Sequence, residues 1–286
     1  MEKIVFRNQM DGIIIDRIIR DSEFSMDVKH FHHNYELYYL LKGERYYFIE
    51  DRTYLINEGG LVLLDKGQIH KTTAASKPYH DRILIELDEE PFNSFLISTL
   101  GTSLTEFFSS HRGVYQLDSS MQAKFESLLL EISDELKEKR LQFSSLAMMK
   151  LSSLLIYIMR QNLKEKNTSN FSSNLANTSK HNKVSEVASF IVDNPADAIS
   201  LANLADRFFI NKSYLSRIFK EVTGFTVNEY INIHRIKKAQ ELLLTTNYSI
   251  SEISAMVGYE SITYFERVFR KYMRTSPLKY RKENKD

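Results

Sequence analysis

Two arginines in the last third of the chain stand at matching positions of a pattern that occurs twice. Tyr214-Leu215-Ser216-Arg217-Ile218-Phe219-Lys220 answers Tyr264-Phe265-Glu266-Arg267-Val268-Phe269-Arg270, 50 residues later. At helical spacing, Leu215, Ile218, Phe219 and Val222 share one face, and Phe265, Val268, Phe269 and Tyr272 share the equivalent face. Ser213, Ser216, Arg217 and Lys220 then face outward in the first copy. In the second, Ile262, Thr263, Glu266, Arg267, Arg270 and Lys271 lie on or near the outer face. An outward guanidinium about one turn from a helix N-terminus can donate two hydrogen bonds to guanine O6 and N7. Nearby Ser and Thr can reach bases or phosphates, while Lys220, Arg270 and Lys271 are placed for the backbone. Lys212 and Tyr264 complete the candidate DNA-contacting set, although Tyr214 and Tyr264 could also pack partly on their own domain. Each copy follows a short helix-like segment and a tight turn. Two such helix-turn-helix units in tandem can enter two successive major grooves of a duplex.

A second group of chemically capable residues lies near the N-terminus. His30, His32 and Glu36, followed by Gly43, have the spacing H-x-H-x3-E-x6-G, and Gly59, Asp65, Gly67 and His70 follow downstream. This resembles the two motifs of the cupin β-barrel, in which two early histidines, a glutamate and a late histidine converge inside the barrel. The resemblance makes His30, His32, Glu36 and His70 candidate ligands for Fe(II), Mn(II), Ni(II) or Zn(II). The chain departs from it in lacking the proline before Gly67 and the asparagine expected near residue 74. The preferred reading is an effector pocket without a cofactor, lined by His30, His32, Glu36, Tyr38 and His70. Tyr35, Tyr38, Tyr46, Tyr47 and Phe48 supply aromatic faces and hydroxyls suited to sugars, and many of them also suit a plain core.

The elements that must position these groups are legible from periodicity. Up to residue 118, short runs rich in Tyr, Ile, Leu and Val predict strands, among them Glu36–Leu41, Arg45–Glu50, Leu61–Leu64 and Ile83–Leu87. Ser119–Lys139 and Ser144–Gln161 carry apolar residues at helical spacing. This helical pair reads as a lid on the barrel or a dimer seam, and residues 119–163 are assigned as a helical dimerisation element because their apolar stripes exceed what one barrel face need cover. Residues 164–182 are polar and read as a linker. Beyond it the pattern is nearly all helix: Lys183–Asp193, a short helix capped by Ser200, Lys212–Val222 capped by Asn211, Val227–Thr245, a segment from Ser249, a helix capped by Ser261, and a final turn opened by Pro277.

Composition sets the outer frame. The 286 residues suffice for two domains, 43% are hydrophobic and 26% charged, and no cysteine is present. Disulfides and thiolate metal sites are therefore excluded. The net charge of +1 divides unevenly, with 16 Lys/Arg against 12 Asp/Glu in residues 181–286 and 22 against 25 before them. A basic C-terminal part fits phosphate contact. Ile13-Ile14-Ile15 is broken by Asp16 and Arg17, so no signal peptide is expected, and the apolar run Leu154 to Met159 is too short to span a bilayer.

The last hundred residues resemble the DNA-binding domain of AraC/XylS-type transcriptional regulators. The matching stretches are Leu201–Ala205, Tyr214–Lys220, His234–Ala239, Ile250–Ile253, Val257–Tyr259, Tyr264 to Lys271, and Pro277–Arg281. Ser254 stands where the family usually has alanine. Phe208-Phe209 stands where a small turn residue is common, so a different turn is expected there. The resemblance implies seven helices, with Val227–Thr245 as a stiff spacer between two readers. Together these readings give an α+β chain of two domains: a cupin-like effector-binding barrel at 1–118 with its helical pair, and a tandem helix-turn-helix domain at 183–286. The implied function is a non-enzymatic, cytoplasmic, homodimeric transcriptional regulator. It would bind double-stranded DNA and a small-molecule effector, carbohydrate by family analogy, and would meet RNA polymerase if it activates. Two alternatives stand beside it: a metal-dependent cupin enzyme fused to a DNA-binding domain, and an effector-independent dimeric DNA-binding protein.

Overall fold

The computed structural model describes residues 2–22, 34–165, 178–197 and 200–284. It divides into two compact units, Met1–Ala176 and Asn177–Asp286. Each is considered by itself.

The first unit is built on two antiparallel sheets. Strands β1 (Glu2–Met10), β2 (Ile13–Arg20), β3 (Tyr35–Gly43), β6 (Gly60–Leu64), β8 (His80–Leu87) and β9 (Gly113–Gln116) form a six-stranded sheet in the order β1-β2-β8-β3-β6-β9. Strands β4 (Arg45–Ile49), β5 (Arg52–Ile56) and β7 (His70–Ala74) form a smaller one in the order β5-β4-β7. Successive side chains of a strand point to opposite faces, so each strand of the large sheet serves two environments. Tyr35, Leu37 and Tyr39 point one way, into a core that also takes Ile83, Ile85 and the helices. Tyr38 and Leu40 point the other way, into a cluster with Tyr47, Ile49 and Ile56 of the small sheet. The register agrees, since Tyr38 sits opposite Leu84 and Val62 while Leu40 sits opposite Arg82.

Helices α3 (Ser119–Glu138) and α4 (Phe143–Glu165) cover the outer face of the large sheet. Phe125, Leu129, Ile132 and Leu136 of α3, with Leu151, Leu154, Leu155 and Ile158 of α4, are all buried in that shared core. The apolar stripes expected to form a dimer seam are thus largely consumed within one chain, because a sheet buried on both faces needs a lid. Each such fully buried Leu, Ile or Phe stabilises the fold by roughly 2 kcal/mol. The window Phe143–Arg160 of α4 is long and apolar enough to cross a membrane by composition alone, unlike the short run considered above. Its inward residues pack on the sheet instead. Sequence periodicity did not place helices α1 (Phe92–Leu100) and α2 (Leu104–His111), which add Phe92, Leu96, Phe107 and Phe108 to the same core.

The second unit contains seven helices among the described residues, as expected. They are α5 (Ser179–Asp193), α6 (Leu201–Arg207), α7 (Lys212–Thr223), α8 (Val227–Thr245), α9 (Ile250–Met256), α10 (Ile262–Met273) and α11 (Pro277–Asn284). Thr178 caps α5, which starts at Ser179, four residues before the expected Lys183, and α4 continues past Gln161. Helix therefore claims both ends of the stretch 164–182, and residues 166–177 of that linker reading lie outside the described residues.

Both helix-turn-helix units use one turn geometry. Phe209 N donates to Asp206 O and Ile210 N to Ala205 O; Gly258 N donates to Ala255 O and Tyr259 N to Ser254 O. Phe209 and Gly258 are equivalent and both left-handed, with φ of 51° and 88°. The different turn expected at Phe208-Phe209 is therefore not seen, and the bulky residue adopts the glycine conformation. The reason is space. A Cβ on Gly258 would lie 2.6 Å from Ala196 O and 2.9 Å from an Arg235 nitrogen, whereas the Phe209 side chain projects into solvent, 97% exposed. Buried Ser254 occupies close helix packing, and its hydroxyl has no hydrogen-bond partner among the described residues.

These turns predict opposite responses. Gly258→Ala should cost about 2 kcal/mol or more, combining backbone strain with a clash against a carbonyl. Phe209→Gly should stabilise by roughly 0.5 kcal/mol, as relief of left-handed strain outweighs the added chain entropy. Denaturant titration measures both, and an unchanged midpoint for Gly258→Ala would contradict the geometry.

Two buried histidines make this unit acid-sensitive. Burial, with Lys180 adding, pulls His181 to about 4 although Glu221 opposes; burial, with Lys237 adding, pulls His234 to about 3. Unfolded, each would take up a proton near 6.5. Below that pH the unfolded chain binds more protons, so stability is lost as pH falls from about 6.5 toward 4. Thermal melts of the full chain should show this slope, and His234→Gln should flatten it.

Candidate DNA-reading helices and inter-sheet site

The two recognition helices, α7 and α10, are positioned by the same local devices. Asn211 Oδ1 accepts from Ser213 N at 2.9 Å and from Tyr214 N at 3.1 Å. Ser261 Oγ accepts from Tyr264 N at 3.4 Å. Such caps satisfy amides that a helix start leaves open. Gly224 ends α7 in the left-handed conformation, and Arg274 ends α10 the same way. Leu215, Ile218 and Phe219 are buried on α7, and Phe265, Val268 and Phe269 on α10. Tyr272, expected to face in, is half-buried at the edge of that core.

The opposite faces match residue by residue. Lys212, Ser213, Tyr214, Arg217 and Lys220 are exposed on α7 and Ser216 is half-buried; Ile262, Thr263, Tyr264, Arg267, Arg270 and Lys271 are exposed on α10 and Glu266 is half-buried. Every DNA-contacting candidate named from the sequence is thus at a solvent-accessible or partly accessible position. The structure adds a feature that spacing alone did not reveal. The Arg217 guanidinium lies 5.2 Å from the centre of the Tyr214 ring, and that of Arg267 lies 5.0 Å from the Tyr264 ring. A guanidinium over an aromatic face gains about 0.5–1 kcal/mol at an exposed site and loses rotamer freedom before any ligand arrives. Tyr214 and Tyr264 are therefore built to orient the arginines. The heads differ in that Ser216 of one stands at the position of Glu266 in the other; a carboxylate can accept from cytosine N4, which a serine reads less selectively.

Helix α8 carries both heads. Phe219 of α7 packs edge-on against Tyr230 of α8 at 5.2 Å. Farther along α8, Ile236, Ala239 and Leu243 share a core with Ile253 of α9 and with Phe265 and Phe269 of α10. Arg235 donates to Pro195 O and Asp197 O and stacks on Tyr259, and Tyr259 donates to Asn232. Its 19 residues span about 28 Å at 1.5 Å per residue. That is comparable to the roughly 34 Å between successive major grooves on one face of a duplex.

In the first unit, Glu36, Tyr38 and His70 meet between the two sheets. Glu36 Oε1 accepts from Tyr47 Oη at 3.0 Å, and its Oε2 lies 3.5 Å from His70 Nε2. The Tyr38 and Tyr47 rings meet edge to face at 5.2 Å. Burial pushes the Tyr38 phenol up to about 12, with Arg45 and Arg82 pulling back. His30 and His32, and with them the expected shared parity with Glu36, lie outside the described residues. Glu36 and His70, the two motif donors within the described residues, meet here, and no cluster of three His, Asp or Glu suited to a metal occurs among the described residues. Sequence reasoning missed the charged neighbours: Arg20, Arg45, Arg82, Asp16 and His80 are all buried. The charged residues set among apolar ones in the strand-like stretches Asp16–Arg20 and His80–Leu84 were the available signal.

Comparison with known proteins adds the following. Residues 15–155 match the family model of an AraC-like ligand binding domain, and residues 204–283 match that of a helix-turn-helix domain. An uncharacterized HTH-type transcriptional regulator of Bacillus subtilis, YfiF, is 29% identical over 264 residues, covering 90% of this chain and 79% of its own. The melibiose operon regulatory protein of Escherichia coli is 26% identical over 272 residues, 90% of this chain and 84% of its own. The xylose operon regulatory protein of Escherichia coli is 37% identical over 97 residues, 34% of this chain; the match spans a quarter (25%) of that relative. Among solved structures, the C-terminal domain of AraT, a response regulator from Geobacillus stearothermophilus, is 30% identical over 38% of this chain and 91% of its own, with a TM-score of 0.37.

The tyrosine–arginine pairs yield a test. Tyr264→Phe keeps the ring under Arg267 and should bind selected duplexes with near-wild-type affinity, whereas Tyr264→Ala should weaken binding about 3–5-fold. In the Arg267→Ala background the Tyr264→Ala loss should largely vanish. Additive losses in a gel-shift double-mutant cycle would show that the tyrosine acts apart from the arginine.

Proposed function

The chain belongs to the AraC family of transcriptional regulators, with a helix-turn-helix DNA-binding domain and an AraC-like ligand-binding domain, and from this we propose how it reads DNA and what sets its activity. Helices α7 and α10 enter two successive major grooves. Arg217 and Arg267 contact guanines, with Tyr264 at the same face holding Arg267 toward them; Ser213, Ser216 and Thr263 contact neighbouring bases or phosphates, and Lys212, Lys220, Arg270 and Lys271 hold the backbone. The observation that carries this reading is the duplicated exposed face, with an arginine stacked on a tyrosine at the same place in both helices.

A small molecule taken between the sheets of the first unit controls the DNA-bound state by preferring one arrangement of the protein. Carbohydrate is the effector class suggested by the melibiose and xylose operon relatives. The protein acts in the cytoplasm, where its DNA is, as a non-enzymatic regulator that meets RNA polymerase when it activates. It works as a homodimer through the outer faces of α3 and α4. Support comes from Leu130, Leu141, Leu146 and Met149, which stay exposed after the inner stripes are buried. Sedimentation that finds only monomer at micromolar concentration removes this last element.

With a binding site selected from random duplexes, Arg217→Ala and Arg267→Ala should each cost about 1–3 kcal/mol and relax base preference in different halves of the site. Inserting about five base pairs between the halves turns the second groove away and should abolish tight binding. Wild-type footprints from both arginine variants would refute the reading.

A further inference from the structure

Phe209, in the turn between α6 and α7, is unfavourable in two ways at once. Its backbone is left-handed, with φ of 51°, and the residue is 97% exposed. A positive φ is a genuine outlier for a bulky side chain, and such strain persists mainly where function uses it. An aromatic ring left in water adds no burial to the fold. The turn itself asks for neither feature, because its hydrogen bonds are made by backbone atoms and glycine serves at the same place in the second unit. The turn is also held firmly. Phe208 packs edge-on against Phe190 of α5 at 5.9 Å, Lys183 Nζ lies 6.0 Å from the Phe208 ring, and the Arg207 guanidinium lies 4.1 Å from the Phe190 ring. Phe208 is thereby tied to α5, and Phe209 is left pointing outward from a fixed support.

Its place in the chain says what it meets. Phe209 stands two residues before Asn211, the cap of α7, and Lys212 and Ser213 follow as exposed residues of the first helical turn. A reading helix brings its N-terminal residues to the base edges, so the turn that leads into it comes to the same groove. We propose that Phe209 is a specificity-determining residue of the first head, laying its ring on the 5-methyl group of a thymine and the adjoining deoxyribose. The inference rests on the reading of α7 as a DNA-reading helix, and it adds an apolar contact to a face otherwise made of polar and charged groups. A phenyl ring has no hydrogen bond to offer, and the apolar group that a base presents in the major groove is the thymine methyl. Burial of the ring against that methyl and the sugar supplies the gain that the fold forgoes. The second head has no counterpart. A Cβ at Gly258 would lie 2.6 Å from Ala196 O, so no ring can be carried there. Thymine is therefore read in one half of the site only, which gives the tandem reader a direction on DNA.

The test uses full-length protein and a duplex selected from a random pool. Wild type should enrich a thymine at one position of the half that Arg217 reads, and selection with Phe209→Gly should lose it. Each thymine of the selected duplex is then replaced in turn by deoxyuridine, which removes the methyl alone. In gel shifts wild type should lose about fourfold at that one position. Phe209→Gly and Phe209→Asn should bind the parent duplex about fivefold more weakly and no longer respond to deoxyuridine. Glycine and asparagine both accept the left-handed backbone, so these variants keep the fold, and thermal melts check it. Phe209→Leu should keep part of both effects. Wild-type affinity in the Gly and Asn variants, or a methyl effect that they leave unchanged, overturns the proposal. Arg217→Ala, run in parallel, keeps the two readings apart. If it loses affinity while Phe209→Gly does not, only the Phe209 contact is wrong; if neither loses affinity, α7 is not a reading helix.

Discussion

Everything the C-terminal unit does depends on one shared element, helix α8. A helix-turn-helix unit of two short helices cannot bury its own apolar face, and both units here close their cores on α8. Tyr230 serves the first and Ile236, Ala239 and Leu243 serve the second. The consequence is geometric. Two cores docked on one rigid rod cannot drift apart, so the separation of α7 and α10 follows from the length of a 19-residue helix. The Arg235 strut reinforces this by joining the loop before α6 to the turn at Gly258 and Tyr259. Rigid spacing turns two weak contacts into one joint recognition event.

The N-terminal unit solves a different problem with the alternation of its strands. The large sheet is buried on both faces, so each strand must carry two chemistries at once. Residues of one parity, such as Leu37 and Tyr39, form an apolar core with four helices. Those of the other parity, such as Asp16, Arg20, Glu36 and Arg82, carry charge into the space between the sheets. Buried charge is expensive and adds little to stability. A domain that needed only to hold its shape would be served as well by valine or leucine at those positions. Retaining charge there favours a binding role over a purely structural one.

Legibility from sequence followed the range of the interactions concerned. Helix α8 was bounded to the residue because its signals are local: Thr226 and Glu229 form a capping box, and the apolar stripe repeats at 3.6. The caps Ser200, Asn211 and Ser261 were readable for the same reason. Helices α1 and α2 escaped because they are short and their aromatic residues match strand composition as well as helix. The conformation of Phe209 was also illegible. Local preference argues against a left-handed phenylalanine, and only the repeat of the turn's hydrogen bonds imposes it.

By itself the sequence determined the duplicated reading face, the two-part organisation and the position of every outward cation on α7 and α10, since these rest on periodicity and capping within a few residues. Tertiary structure alone decided the rest. It stacked Arg217 on Tyr214 and Arg267 on Tyr264. It spent the stripes of α3 and α4 on the sheet. And it gathered Tyr38, Arg45 and Arg82 from three strands of two sheets. Those outcomes depend on strand register and on which faces meet, and register joins residues far apart in the chain that no local pattern connects.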